Sequence, residues 1–174
     1  AEQQSAAAKL GATGEVLFLG LIDGELESGL PERAQVVSVI RRLQPDIVLG
    51  HDPWKRYRLH PDHRHAGQLT VEGVAAARDP HFFPELALPS HRPRDLLLFE
   101  PDLIDHVETT DGFELSKLAA LEAHKSQFES TMLITKGGTD ELERFRNNQL
   151  MTMAKFGALV NAPLGEGYKR ISEL

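Results

Sequence analysis

The sequence predicts an α/β domain with a mainly parallel sheet. Short apolar runs occur at residues 16–19, 47–49 and 96–99, and segments with helical spacing lie between them. Runs that are apolar at consecutive positions are typical of strands buried on both faces, as in parallel sheets covered by helices. The alternation of such strands with helices gives the α/β class, and it directs attention to the carboxyl ends of the strands.

The first half of the chain contains three predicted helices. Residues 1–10 are rich in alanine and are closed by Gly11, but no capping residue precedes them, so this helix is expected to begin further upstream. Pro31 has the position of a first-turn proline in the second helix, and apolar residues follow it at helical spacing. The same spacing predicts the third helix over residues 61–77.

Two more helices are predicted in the second half. Asp111 and Glu114 have the spacing of a capping box, which predicts a helix from there to about His124. Thr139 is expected to cap a last helix that ends near Asn161.

Composition and charge limit the functions to consider. With 174 residues, 41% apolar and 26% charged, the chain is expected to form one domain over residues 1–174. No apolar run is long enough to span a bilayer and no export leader is visible, so a cytoplasmic protein without membrane contact is expected. The net charge of -7 argues against a nucleic-acid partner. Without cysteine, any metal needs His and carboxylate ligands.

The end of the second apolar run carries a cluster of chemically capable residues. His51-Asp52 follows the run directly, and His60-Pro61-Asp62-His63-Arg64-His65 comes a few residues later at the start of a predicted helix. One imidazole can bind zinc, another can donate a proton, and an aspartate between them can fix the tautomer of a ring. The spacing of three directs His60 and His63 to one side, whereas His65 is expected to be an ordinary surface residue.

An ordered series of motifs resembles the zinc-dependent N-deacetylases of the PIG-L/LmbE type. The series consists of Leu17-Phe18-Leu19-Gly20 with Asp23-Gly24, Arg41-Arg42-Leu43-Gln44-Pro45-Asp46-Ile47-Val48-Leu49, His60-Pro61-Asp62-His63-Arg64, and Lys117-Leu118-Ala119-Ala120-Leu121 with His124, Ser126 and Gln127. The resemblance implies a Rossmann-like three-layer fold. It also implies hydrolysis of an N-acyl amide on an amino sugar or sugar conjugate, with one zinc ion (Zn2+) per site.

The resemblance also implies roles for individual residues. His63 corresponds to a zinc ligand, and His60 to the group that stabilises the oxyanion or protonates the leaving amine, oriented by Asp62. Asp23 corresponds to a residue that binds substrate hydroxyls, although an ordinary turn aspartate before Gly24 is a nearly equal interpretation. His124 either lines the substrate site or stabilises the carboxyl end of its helix as a partial cation.

The sequence departs from the family in two respects. The opening Ala-His-Pro-Asp-Asp-Glu motif, which supplies two zinc ligands and the general base, does not occur in these residues, and the N-terminal βαβ portion is expected to be missing with it. The chain alone is therefore expected to bind metal weakly and to associate with a complementing N-terminal segment or with itself. The second departure is Arg58, which stands where the mycothiol branch of the family has a tyrosine.

Three alternatives stay open at this stage. A sugar-binding relative without a hydrolytic metal is compatible with the absent first motif. A metallo-phosphoesterase with a similar cluster is less well supported, because no basic phosphate cradle is evident. Trp54 either covers the sheet edge, which is the favoured interpretation, or packs against a sugar ring.

Overall fold

A computed structural model describes residues 1–135 and 138–174 of the protein. The chain divides into two compact units: a smaller unit of Ala1–Phe18 with Val107–Glu166, and a larger unit of Leu19–His106 with Gly167–Leu174. The helices are α1 (Glu2–Lys9), α2 (Leu30–Leu43), α3 (Pro61–Ala77), α4 (Glu114–Glu122) and α5 (Thr139–Gly157). The strands are β1 (Ile47–His51), β2 (Asp95–Phe99), β3 (His106–Thr109) and β4 (Gly165–Ser172).

The larger unit contains three neighbouring strands in the order β1, β2, β4. β1 pairs parallel with β2, with Ile47 opposite Asp95 and His51 opposite Phe99. β4 pairs antiparallel with β2. The α/β class is confirmed, and the second and third apolar runs form two parallel strands. The sheet of the described residues is nevertheless mixed, because β4 runs antiparallel to β2. This fourth strand was not predicted from the sequence.

Helices α2 and α3 cover one face of this sheet. Their buried side chains form a core of Val37, Ile40, Val74, Ala76 and Ala77, and Val48 of β1 packs against it. On the other face of β1, Ile47 is 37% and Leu49 53% exposed. The prediction that residues 47–49 are buried on both faces was therefore wrong, because the described helices of this unit lie on one side of β1.

A buried arginine fastens α2 to the end of α3. The side chain of Arg41 is almost fully enclosed and donates hydrogen bonds to the carbonyl oxygens of Ala76, Ala77, Asp79 and Phe82, at 2.8 to 3.1 Å. These bonds satisfy carbonyl oxygens in the last turn of α3 and in the residues that follow it. Arg41 thus fixes the carboxyl end of the helix whose amino end carries the histidine cluster.

The first apolar run does not form a strand. Residues 16–19 have no regular secondary structure, and Phe18 is 65% exposed. An apolar run becomes a strand only where a neighbouring strand accepts its backbone hydrogen bonds. No described strand pairs with these residues, so the prediction of a buried strand was wrong for this structure.

In the smaller unit, α1 and α5 both pack against α4, and β3 lies beside the beginning of β4. A cluster of Met132, Ile134 and Phe145 forms an apolar core with Leu121 and Phe128. The predicted first helix is confirmed. Its Glu2 carboxylate accepts hydrogen bonds from the backbone and hydroxyl of Ser126 at 3.0 and 2.6 Å.

The predicted caps of α4 and α5 were wrong, although both helices exist. Phe113 is the N-cap of α4, and Asp111 instead accepts a hydrogen bond from the Leu164 amide at 2.9 Å. Gly138 is the N-cap of α5, so Thr139 lies inside the helix. Asp111 is thus committed to a contact 53 residues away along the chain, which local spacing does not reveal. Among the described residues, no helix combines the length and the apolarity needed to cross a membrane.

Candidate active site

The histidine cluster is built where β1 ends and α3 begins. β1 ends at His51, and α3 starts at Pro61, with His60 in extended conformation as its N-cap. The residue before a proline avoids the helical region, so Pro61 forces His60 to stand outside the first turn. His63 lies on that first turn. The two histidines therefore share one side of the junction.

Two glycines let α3 approach the end of β1 closely. A Cβ atom on Gly67 would lie 2.6 Å from the His51 carbonyl oxygen and 2.9 Å from the Pro53 nitrogen. A Cβ atom on Gly50 would lie 2.6 Å from the Thr70 side chain. Gly67 is one helical turn after His63, on the same face of α3. Its missing side chain therefore permits the close packing that brings His63 to His51.

Three imidazole rings form a stack at this junction. The His63 ring centroid lies 4.5 Å from that of His51 and 4.6 Å from that of His60, with interplanar angles of 10° and 13°. On its other side, His51 contacts the ring of Phe99 at 4.4 Å. The structure thus brings together His51, His60 and His63, of which only the last two have predicted roles.

Arg58 fixes the tautomer of the His51 ring. Arg58 is 7% exposed, and its Nη1 donates to His51 Nδ1 at 2.9 Å and to Glu100 Oε2 at 3.1 Å. A guanidinium only donates, so Nδ1 must accept and the proton of the ring sits on Nε2. Burial, followed by the nearby charges of His63 and Arg58, lowers the pKa of His51 to about 4.

Asp62 connects the cluster to the loop that contains Asp23. Its side chain is buried, and Oδ2 accepts a hydrogen bond from the Gly24 amide at 2.6 Å. Its Oδ1 is also buried and has no hydrogen-bond partner among the described residues. Asp23 is exposed in a turn with Gly24, whose φ of +87° suits glycine. Asp23 therefore lies one residue from an atom that binds Asp62.

His65 lies apart from the ring stack. Its Nδ1 lies 3.1 Å from the hydroxyl of Ser28, and the side chain is half-buried. This geometry agrees with the prediction that His65 is separate from His60 and His63.

His124 lies in the smaller unit, two residues after the end of α4. It lines a groove of about 420 Å³ together with Lys117, Ala120 and Leu121. These four residues therefore share one face of the smaller unit. Both interpretations of His124, as a residue that lines a site and as a partial cation at a helix end, stay open.

The described residues by themselves do not fit a zinc site. Within residues 1–135 and 138–174, no three side chains of His, Cys, Asp or Glu lie close enough to hold a metal ion. The stack explains why: His51, His60 and His63 meet through their ring faces, whereas metal binding requires ring nitrogens directed at one point. His63 is therefore one candidate ligand, and the described residues do not supply the further ligands that a zinc ion requires.

The contact between Arg58 and His51 was not predicted. The loop between β1 and α3 reads as polar, yet Arg58 is buried while its neighbours Tyr57 and Leu59 are 86% and 91% exposed. The burial expected from the polarity of these side chains is therefore the opposite of the burial observed. No local sequence signal indicates that the guanidinium turns inward to His51.

Sequence comparisons identify related proteins. Residues 1–74 match the family model described as PIG-L: GlcNAc-PI de-N-acetylase. The chain is 34% identical over 133 residues to a diacetylchitobiose deacetylase of Thermococcus kodakarensis, covering 73% of the chain and 49% of that protein. It is 31% identical over 131 residues to a 1D-myo-inositol 2-acetamido-2-deoxy-alpha-D-glucopyranoside deacetylase of Frankia casuarinae, covering 53% and 41%. The chain thus spans about half the length of these relatives.

Solved structures with the same fold agree with this relation. An N,N'-diacetylchitobiose deacetylase from Pyrococcus horikoshii superposes with a TM-score of 0.83 at 25% identity, covering 98% of the chain and 62% of that protein. A 4-carboxy-2-hydroxymuconate hydratase from Pseudomonas putida superposes with a TM-score of 0.74 at 20% identity, covering 99% and 70%. The second likeness concerns the fold alone, since one fold supports different reactions. By sequence and by fold, this chain is a relative of the PIG-L/LmbE-type deacetylases.

Proposed function

We propose that the protein takes part in the hydrolysis of an N-acyl amide, with acetyl as the acyl group, on an amino sugar or sugar conjugate. The observation that carries this proposal is the pair of exposed, stacked rings of His60 and His63 at the carboxyl end of β1. Ligands of open α/β sheets bind at the carboxyl ends of the strands. Both sequence relatives bear names of enzymes that remove an acyl group from an acetamido sugar.

His60 is the proposed donor to the reacting amide. As the N-cap of α3 its ring projects from the junction and is exposed, so it can reach the carbonyl oxygen or the leaving nitrogen of a bound substrate. A donor directed at the developing oxyanion stabilises the transition state more than the ground state. The same ring can then deliver a proton to the amine, which would otherwise be a poor leaving group.

Asp62 is the proposed positioning residue of this centre. Its buried Oδ1 has no hydrogen-bond partner among the described residues, and a buried carboxylate oxygen without a donor is costly. An imidazole N–H directed at this oxygen would supply that donor, and the carboxylate would fix the tautomer of the ring. The other oxygen, Oδ2, fastens Asp62 to Gly24 and keeps the carboxylate in place.

Zinc is the proposed metal, with His63 as one ligand. The described residues do not complete a zinc site, so the proposal requires further ligands from a complementing segment or from another polypeptide. Bound zinc supplies Lewis-acid activation of water in amide hydrolysis. The steps given above for His60 and Asp62 concern only residues of this chain.

Asp23 and His124 are proposed to contact the substrate. Asp23 is exposed, so its carboxylate is available to the hydroxyls of a bound sugar. The loop that carries it is held next to Asp62, because the adjacent Gly24 amide donates a hydrogen bond to the Asp62 carboxylate. His124 lines the groove of the smaller unit. Each residue belongs to its own unit. We further propose that residues 1–174 belong to one deacetylase-like domain.

The test is the release of a primary amine from an N-acetylated amino sugar by the protein supplied with zinc and with the complementing segment that provides the further ligands. His60→Ala is expected to lose roughly 10²–10⁴-fold in turnover, the range for a missing general acid or oxyanion donor. His65→Ala is the matched control, because this histidine is a neighbour on the same helix that contacts Ser28 and lies outside the stack. Undiminished turnover in His60→Ala would remove His60 from the chemistry.

A second candidate function is sugar binding without hydrolysis. The face-to-face stack favours it, because three rings held in this way do not direct their nitrogens at one metal ion. This candidate predicts saturable binding of acetylated amino sugars together with no amine release, even when zinc and any complementing segment are supplied.

A further inference from the structure

A cavity in the larger unit lies at the opposite end of the strands from the histidine cluster. Asp46, which lines it, immediately precedes β1, whereas His51 is the last residue of that strand. At ~3.3 Å per residue, these two positions are about 16 Å apart along the strand. The cavity has a volume of about 400 Å³, within the range of roughly 300–1,000 Å³ that small-molecule sites occupy. Its charged lining residues are Arg92, Arg94, Arg170, Asp46, Asp95 and Glu173.

The carboxylate of Asp95 holds two of these arginines in place. Asp95 is 2% exposed, and its Oδ1 accepts hydrogen bonds from Arg170 Nε at 2.8 Å and from the Ser172 hydroxyl at 2.7 Å. Its Oδ2 accepts a hydrogen bond from Arg94 Nε at 2.8 Å. Both guanidinium groups are therefore oriented before a ligand binds, which reduces the conformational entropy that binding would cost.

The outer donors of these two arginines are not used by the protein. A guanidinium carries one N–H on Nε and four on its two Nη atoms. Arg94 and Arg170 bind Asp95 through Nε, and in the part of the chain that the structure describes no hydrogen bond engages their Nη atoms. Their side chains are 66% and 42% exposed. The free donors are therefore accessible to a ligand from solvent.

Arg92 brings a third guanidinium to the same cavity. Pro93, between Arg92 and Arg94, is fully buried and has a fixed φ, so the backbone that carries both arginines is rigid. Arg92 is exposed, and its Nη1 donates a hydrogen bond to the carbonyl oxygen of Leu174. The three arginines thus come from two segments that are far apart in the sequence, which is why no local motif reveals them.

The charges of the cavity favour a ligand with several directed acceptor atoms. One carboxylate, that of Asp95, faces two guanidinium groups. Asp46 and Glu173 also line the cavity, but within the described residues neither forms an ion pair with its arginines. Their negative charge disfavours a simple ion such as chloride, which offers charge alone. A phosphate group offers several oxygens that accept paired hydrogen bonds from arginine.

We propose that this cavity binds a phosphate group, as inorganic phosphate or as a small phosphate monoester, through the free Nη atoms of Arg94 and Arg170 and through Arg92. The site lies at the other end of the sheet from the histidines, so the phosphate is bound and not hydrolysed. Because Arg94 adjoins β2 and Arg170 belongs to β4, the ligand links two neighbouring strands. A ligand that binds only the folded protein stabilises it.

Isothermal titration calorimetry at constant ionic strength tests the proposal, with inorganic phosphate and glycerol 3-phosphate as ligands and sodium chloride as the balancing salt. Saturable binding of one phosphate group per chain is expected. The tighter of the two ligands distinguishes the free ion from a monoester. Arg94→Gln and Arg92→Gln are each expected to weaken binding by roughly 10–100-fold, the effect of removing a hydrogen bond to a charged group.

Arg78→Gln is the matched control, since it removes the same charge from an exposed arginine of the same unit that does not line the cavity. It is expected to leave phosphate affinity unchanged. Arg92→Gln keeps both arginine hydrogen bonds to Asp95, so it remains informative if Arg94→Gln unfolds. No saturable binding by the wild type, or the same affinity in Arg92→Gln as in Arg78→Gln, would overturn the proposal.

Discussion

Arg58 Nη1 donates a hydrogen bond to His51 Nδ1 at 2.9 Å, and the ring of His51 stacks on that of His63. A buried arginine thereby acts on the ring orientation of a proposed metal ligand through a second histidine. Glu100 accepts from the same Nη1 at 3.1 Å and balances part of the charge.

Arg58→Gln is expected to allow His51 to populate both of its neutral tautomers. With the guanidinium present, Nδ1 can only accept, so the Nε2–H tautomer should dominate in long-range ¹H–¹⁵N correlation spectra of the imidazoles. The shorter amide side chain should let both tautomers appear and should broaden the His63 signals. Arg42→Gln, at an exposed position of α2, is the control. An unchanged tautomer in Arg58→Gln would show that the hydrogen bond does not set the state of His51.

Gly67→Ala is expected to destabilise the protein by about 1–3 kcal/mol, the usual cost of overpacking. The new methyl group would lie 2.6 Å from the His51 carbonyl oxygen, and backbone at this distance cannot rotate away. The better helix propensity of alanine, worth about 1 kcal/mol, offsets only part of this cost. Urea unfolding measures the change. Gly14→Ala, where no atom lies within 4 Å of the new Cβ, serves as the control and should have little effect.

His63→Ala is expected to abolish zinc binding, whereas His65→Ala should retain it. His63 belongs to the ring stack at the end of β1, and the Nδ1 of His65 instead lies 3.1 Å from the hydroxyl of Ser28. Zinc content of the full-length protein, with its complementing N-terminal segment, is measured by mass spectrometry and distinguishes the two variants. Retention of zinc in His63→Ala with its loss in His65→Ala would reverse the assignment.

Asp95 is expected to make folding stability sensitive to acid. Hydrogen bonds from Arg170, Arg94 and Ser172, at 2.7 to 2.8 Å, lower the pKa of this carboxyl well below its usual range. A depressed carboxyl pKa stabilises the fold above the unfolded-state pKa, and this contribution is lost as the pH falls through the folded-state pKa. The free energy of unfolding of the wild type should therefore decrease from about pH 5 downwards.

The matched variants for this prediction are Asp95→Asn and Glu129→Gln. Asp95→Asn removes the titrating group, so its stability should fall less steeply with acid than that of the wild type. Glu129→Gln changes an exposed carboxylate of the smaller unit and should retain the wild-type slope. Equal slopes for Asp95→Asn and the wild type would mean that the pairing of Asp95 does not control the acid response.

The sequence by itself determined the elements whose signals are local. Pro61 and the apolar spacing after it define α3 over the predicted residues, and the apolar runs at residues 47–49 and 96–99 each form a strand. The order of motifs was enough to identify the relationship to PIG-L/LmbE deacetylases. These features depend on residues within a few positions of each other, so spacing and composition reveal them.

Tertiary structure alone decided the features that depend on distant partners. β4 is a strand because β2 offers it an edge, and residues 16–19 lack that environment although they are equally apolar. Arg58 is buried and Tyr57 exposed because His51 and Glu100 provide hydrogen-bond acceptors inside the junction. Asp62 binds Gly24 across 38 residues of sequence. Burial and hydrogen bonding between such segments form only when the chain is folded, because the unfolded chain holds no fixed distance between them.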